Sequence, residues 1–166
     1  KLRRDDLIDQ IVEDVRAFRN GRPQGSLAIS AEQGMGKTSL LNDVSRALTA
    51  ELRDTPIKHT TLTAKVVGNE QVRGFVADLF ELDEVPETRT ELCAILRELP
   101  PRVLVIDDCH HFFVREIGGF SGLDTFFEVV NLTDDVHYWV LTFNKYAWNY
   151  INRVRPRKHY FGKVID

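Results

Sequence analysis

Nine consecutive residues carry the first chemical signal. Ala31-Glu32-Gln33-Gly34-Met35-Gly36-Lys37-Thr38-Ser39 has the pattern of a phosphate-binding loop, with Ala31 where glycine usually opens it. The spacing has a physical reason. A loop that cradles phosphate must turn its backbone N–H groups inward, and Gly34 and Gly36 permit the angles and close approach this requires. The following helix directs its positive amino terminus at the same anion. Lys37 is placed to reach the β- and γ-phosphates, and Thr38 to offer its hydroxyl to Mg²⁺. The predicted nucleotide contacts are therefore Gln33, Gly34, Met35, Gly36, Lys37, Thr38 and Ser39.

A second signal begins 65 residues beyond Thr38. Val103-Leu104-Val105-Ile106-Asp107-Asp108 is four apolar residues followed by two carboxylates. A buried parallel strand ending in an acid delivers that acid to the carboxyl edge of its sheet, where ligands bind. There Asp107 is expected to hold Mg²⁺, directly or through water, and Asp108 to orient or deprotonate the water that attacks the γ-phosphate. A third group comes from Val136–Asn144, whose carboxyl end carries Thr142 and Asn144. Either can hydrogen-bond that water or the γ-phosphate; Asn144 can equally cap the helix that follows, asparagine being a preferred N-cap.

Positioning these groups takes strands alternating with helices. Leu7, Ile8, Ile11, Val12, Val15 and Phe18 recur at helical spacing, which predicts a helix over 5–19 ended by Asn20-Gly21-Arg22-Pro23. Further helices are expected over 37–51, 72–79, 89–99, 123–131 and 146–154, and strands over 26–30, 58–67, 103–106, 136–143 and 160–165. This order predicts a three-layer α/β/α sandwich around a five-stranded parallel sheet. Only one strand, 58–67, separates the two phosphate-site strands in sequence, so the 136–143 strand has room to insert between them in the sheet.

Composition narrows the class. The 166 residues are 43% hydrophobic and 28% charged, which excludes a disordered chain, and the net charge of −3 excludes an overall basic one. No apolar run approaches the ~20 residues of a membrane span, and Lys1–Asp6 has no apolar stretch of the kind a signal peptide carries. Two cysteines, Cys93 and Cys109, are too few for a disulfide framework and favour a reducing, cytoplasmic compartment. One domain is expected over 1–166, and the absence of an initial Met suggests a fragment of a longer protein. No Asn-Lys-x-Asp guanine signature occurs, so ATP is the expected nucleotide. Six bases and no acid fall between Lys145 and Lys163, as in an exposed loop. Cys109-His110-His111 has no second cluster at zinc spacing, and His110 or His111 is expected to contact the edge of the phosphate site or to pack locally. Phe126, Phe127 and Cys93 are expected in the core; for Phe120, among Gly118, Gly119 and Gly122, core placement is expected ahead of the alternative of an exposed contact for a partner; Tyr146, Trp148 and Tyr150 fit no single helix face.

The order of these motifs resembles the AAA+ and STAND-type P-loop ATPases over nearly the whole chain. Gly36-Lys37-Thr38 is similar to their Walker A, Val103–Asp108 to Walker B, and Leu141–Asn144 to sensor 1; Asp107-Asp108-Cys109-His110-His111-Phe112 resembles the Walker B flank of origin-recognition-like and transposition-helper ATPases. The resemblance implies ATP and Mg²⁺ as ligands, with hydrolysis assigned to Lys37, Asp108 and Asn144. Many relatives have Glu where Asp108 stands, which implies slow turnover. It also implies a helical lid after the last strand, carrying a second sensor arginine, beyond Asp166; without it, apolar surface near Trp148 would be exposed. It implies an arginine from Arg153, Arg155 or Arg157 reaching a neighbour's γ-phosphate in a homo-oligomer, against the readings of a solvated turn or a nucleic-acid contact. The implied activity is Mg-dependent ATP hydrolysis driving assembly or remodelling of a protein or nucleic-acid partner; the alternatives are a STAND-like nucleotide switch and a nucleic-acid-associated helper with little turnover.

Overall fold

The computed structural model describes residues 4–22, 25–32, 36–63, 65–66, 68–112, 121–154 and 163–165; of Lys37, Val154 and 163–165 only the backbone is described. The elements run α1 (Arg4–Arg19), β1 (Leu27–Ala31), α2 (Lys37–Glu51), β2 (Ile57–Thr61), α3 (Gly68–Leu79), α4 (Arg89–Glu98), β3 (Val103–Asp107), a 3-10 turn (Cys109–Phe112), α5 (Ser121–Thr133), β4 (Tyr138–Asn144), α6 (Lys145–Val154) and β5 (Lys163–Ile165). Four strands of five or more residues and the three-residue edge strand β5 form one sheet in the order β2-β3-β4-β1-β5. Every neighbouring pair is parallel.

The two faces of the sheet follow from the alternation along each strand. Leu27, Ile29, Val103, Val105, Tyr138 and Val140 face α1 and α2, packing on Ile11, Val15, Leu41, Val44 and Leu48. Ala28, Leu104, Ile106, Trp139, Leu141 and Phe143 face the other way, onto residues of α3, α4, α5 and α6. Helices thus cover both faces, as the apolar character of β1, β3 and β4 requires, and the three-layer α/β/α sandwich is the observed architecture. Cys93, Phe126 and Phe127 are core residues as expected.

Several boundaries move. The strand expected over 58–67 is Ile57–Thr61, because β2 can pair only while β3 lasts, and β3 ends at Asp107. Beyond it, Leu62 N donates to Asp107 O (3.0 Å) and Val66 N to His111 O (3.0 Å), so the chain follows the 3-10 turn instead of extending a ladder. α3 starts at Gly68 rather than Val72, since its polar first turn carries no apolar period. α5 is longer than expected at both ends. Gly122 in its first turn has no room for a side chain: a Cβ there would lie 2.9 Å from both Phe112 O and Val66 O. Of the expected 160–165 strand, Lys163–Ile165 is described.

On α6 the exposed apolar surface near Trp148 is the ring of Tyr146, and Trp148 itself is buried. Ala147, Trp148 and Ile151 turn into the core, with the Trp148 ring 4.9 Å from that of Phe143. Of the three rings spaced by two, Trp148 is buried, Tyr150 is half-buried and Tyr146 is 65% exposed.

At the opposite end of the sheet, His137 ties three elements. Its Nδ1 accepts from Arg102 N (3.1 Å) and its Nε2 lies 2.7 Å from Leu96 O. Those partners require a neutral ring protonated at Nε2. Burial is the main cause holding its pKa below the ordinary value; the Leu96 carbonyl and Asp135 oppose this, and Arg102 and Arg97 reinforce it. The unfolded chain therefore takes up a proton near pH 6.5 that the folded chain refuses, so this contribution is complete above that pH and is lost as pH falls. The thermal unfolding midpoint should drop between pH 7.5 and 5.5, and His137→Gln should flatten that drop. An unchanged slope in the variant would remove His137 as its source.

Candidate phosphate and metal site

β1, β3 and β4 end together at the carboxyl edge of the sheet. β4 lies between the two phosphate-site strands, as the sequence allowed, with Ala31 beside Asn144 and Ile106 beside Leu141. Three segments distant in sequence therefore meet there.

β1 leads into the loop. Gln33, Gly34, Met35 and the Lys37 side chain lie outside the described residues, and Gly36 opens α2. Gly36 has φ 76°, in the left-handed region that glycine enters without strain, and Leu40 N donates to its carbonyl (2.8 Å). No side chain caps α2, and its first turn holds no acid. By contrast α1, α3, α4 and α5 each carry an acid in the first turn. The positive end of α2 thus lacks the carboxylate that those helices supply for themselves. A basic group adds to this: the guanidinium of Arg4, at the start of α1, donates to Ser39 Oγ (2.8 Å) and pairs with Asp43 (2.5 Å). Its Nη1 stands 3.6 Å from where a Cβ on Gly36 would be.

β3 delivers Asp107, whose residue surface is fully buried. Its Oδ2 accepts from the Thr38 hydroxyl (2.9 Å). Its Oδ1 accepts from Asp108 N (3.0 Å) and from the Thr142 hydroxyl. The half-buried Asp108 has φ 60°, a left-handed conformation that aspartate tolerates better than most residues. That angle turns the chain out of the strand into the 3-10 turn, where His111 N donates to Asp108 O (3.2 Å). His110 and His111 follow in the 3-10 turn, their rings 4.5 Å apart.

β4 supplies Thr142 and Asn144, and the structure separates their roles. Thr142 is fully buried, and its hydroxyl is bonded to Asp107 and to Asp108 N (3.1 Å). Asn144 Oδ1 accepts from Ala147 N (2.6 Å), which is the capping arrangement for α6. That bond fixes Oδ1 as the acceptor and leaves Nδ2 as the donor end of the amide. Asn144 also lines a cleft of about 300 Å³ with Glu32, Lys145 and the exposed Tyr146. Arg153 is exposed on α6, its guanidinium 5.7 Å from the Tyr150 ring centre; Arg155, Arg157, Gly118, Gly119 and Phe120 lie outside the described residues.

Among the described residues no cluster of three or more His, Cys, Asp or Glu is placed to hold a metal ion. The hydroxyl of Thr38 and the carboxylate of Asp107 are hard oxygen donors, and with nucleotide phosphates they fit Mg²⁺, which is usually held by one or two protein groups plus phosphate and water.

Residues 19–143 match the AAA domain family, which is more than half of the chain. The chain belongs to that family. This AAA domain also resembles solved structures of low sequence identity, which share its fold. The Aeropyrum pernix ORC1 protein, solved in complex with DNA, is 16% identical with a TM-score of 0.64, over 93% of this chain and 41% of that one. A Rhizobiales Trip13 is 12% identical with a TM-score of 0.51, over 98% of this chain and 59% of that one. The domain therefore spans less than two thirds of either chain. No curated protein sequence matches it. Among the described residues no helix is long and apolar enough to cross a membrane.

The sequence missed one neighbour of the site. Arg4 reads as one charge on a solvated helix face; only the packing of α1 on α2 brings it to Gly36 and Ser39. Thr142 is visible as a polar residue near a strand end, but its tie to Asp107 depends on which strands are neighbours.

Proposed function

We propose that this AAA domain binds Mg-ATP on the Gln33–Ser39 loop and hydrolyses it. One observation carries the reading: the Thr38 hydroxyl meets the Asp107 carboxylate at 2.9 Å, joining the two motifs at the sheet edge. In this reading the loop amides and Lys37 hold the phosphates, and Thr38 and Asp107 hold Mg²⁺. The ion, when bound, neutralises charge on the β- and γ-phosphates. Asp108 accepts the proton of the attacking water. Asn144, anchored through its Oδ1 by the α6 cap, turns Nδ2 to that water or to the γ-phosphate.

At the level of the whole protein the hydrolytic cycle drives assembly or remodelling of a partner, in the cytoplasm and in a homo-oligomer where Arg153, Arg155 or Arg157 reaches the neighbouring site. The exposure of Arg153 supports such a role without distinguishing it from contact with nucleic acid. A nucleotide switch with little turnover is the second reading, favoured by the short side chain of Asp108. Calorimetric titration with ATP, with and without Mg²⁺, together with steady-state phosphate release, tests both. Mg-dependent binding with turnover supports the hydrolase, binding without turnover the switch, and no binding by the intact protein refutes both.

A further inference from the structure

We propose that Thr142 is a positioning residue that sets both carboxylates of the site through a single hydroxyl; this deepens, and rests on, the Mg-ATP reading above. Asp107 has no exposed surface, so its oxygens depend on protein partners to stay in one orientation. Thr142 Oγ1 donates to Asp107 Oδ1 and at the same time accepts from Asp108 N (3.1 Å). Asp108 N also reaches Asp107 Oδ1 (3.0 Å), which closes a ring of three polar groups.

The ring has two consequences. It occupies Oδ1 from the β4 side, which turns Oδ2 to Thr38 and to the position of the ion. It also clamps the peptide between Asp107 and Asp108 while Asp108 sits at φ 60°, and so fixes the direction in which the Asp108 side chain leaves the backbone. A hydroxyl is required, because one group must donate to a carboxylate and accept from an amide; valine has the shape of threonine and can do neither. The tie is available only because β4 lies directly beside β3.

The test compares Thr142→Val, Thr142→Ser and the parent by calorimetric titration of ATP with and without Mg²⁺, each also in an Asp107→Asn background. Thr142→Val should lose about 10–100-fold of the Mg-dependent gain in ATP affinity, the usual cost of removing a partner of a metal ligand. Its Mg-free affinity should stay at the parent value, and Thr142→Ser should restore the gain. With Asp107→Asn already present, Thr142→Val should cost nothing further, since it acts through that carboxylate. Should Thr142→Val not fold, Thr142→Ala removes the same hydroxyl from a smaller side chain and carries the comparison. A parent-like Mg dependence in the folded variant, or an equal loss in the Asp107→Asn background, overturns the role of Thr142 and leaves the Mg-ATP reading standing. No Mg-dependent binding by the parent overturns both.

Discussion

Asp108→Asn is expected to bind Mg-ATP as the parent does and to release phosphate about 10²–10⁴-fold more slowly, the usual contribution of a positioned general base. The amide keeps the size and hydrogen-bonding reach of the carboxylate but cannot take a proton. The backbone should tolerate the change well, because asparagine is among the few residues that enter the left-handed region readily, and Asp108 sits there at φ 60°. The bonds to the Asp107 carboxylate and the Thr142 hydroxyl use only the main-chain amide of Asp108 and survive the substitution. Loss of turnover with retained affinity is therefore separable from misfolding. Equal phosphate release by variant and parent would place the base elsewhere.

Lys37→Ala is expected to lower ATP affinity by about 100-fold or more, the scale of a lost charge-assisted hydrogen bond to phosphate. Lys37 is the first residue of α2, and alanine is the best helix former, so the helix itself has no reason to suffer. Its carbonyl and amide stay where the loop needs them. What disappears is the one flexible cation that the motif reserves for the β- and γ-phosphates. A circular dichroism spectrum unchanged from the parent, together with calorimetry showing no heat of ATP binding at concentrations that saturate the parent, is the expected pair of results. Parent-like affinity in the variant would refute the phosphate-loop assignment.

The site is expected to couple these effects unevenly. Asp108 acts on a step, Lys37 on binding, and Asp107 on the Mg-dependent part of binding. A substitution at Asp107 should therefore move affinity in Mg²⁺ and leave Mg-free affinity nearly alone, which distinguishes it from both of the others by the same titration.

The residue string by itself determined the nature of this domain. Gly36-Lys37-Thr38 after an apolar strand, and Asp107-Asp108 after Val103–Ile106, are local patterns: each depends on a strand end, a helix start and the chemistry of a few adjacent side chains. Strand–helix alternation and two-sided apolar strands likewise follow from periodicities a few residues long, so the layered parallel sheet was legible. The 58–67 strand was overextended because its Thr- and Val-rich alternation continues past the point where β3, its hydrogen-bonding partner, ends at Asp107. Three rings spaced by two leave the buried face of α6 undefined in the sequence; Trp148 is the buried one because it packs on Phe143. Tertiary structure alone decided that β4 stands between β1 and β3, that Thr142 spends its hydroxyl on Asp107 and Asp108 N, and that Arg4 reaches the loop at Gly36. The hydrogen bonds of Thr142 and Arg4 join residues 34 to 39 positions apart, and their partners are set by strand order and helix packing, to which neighbours along the chain contribute nothing.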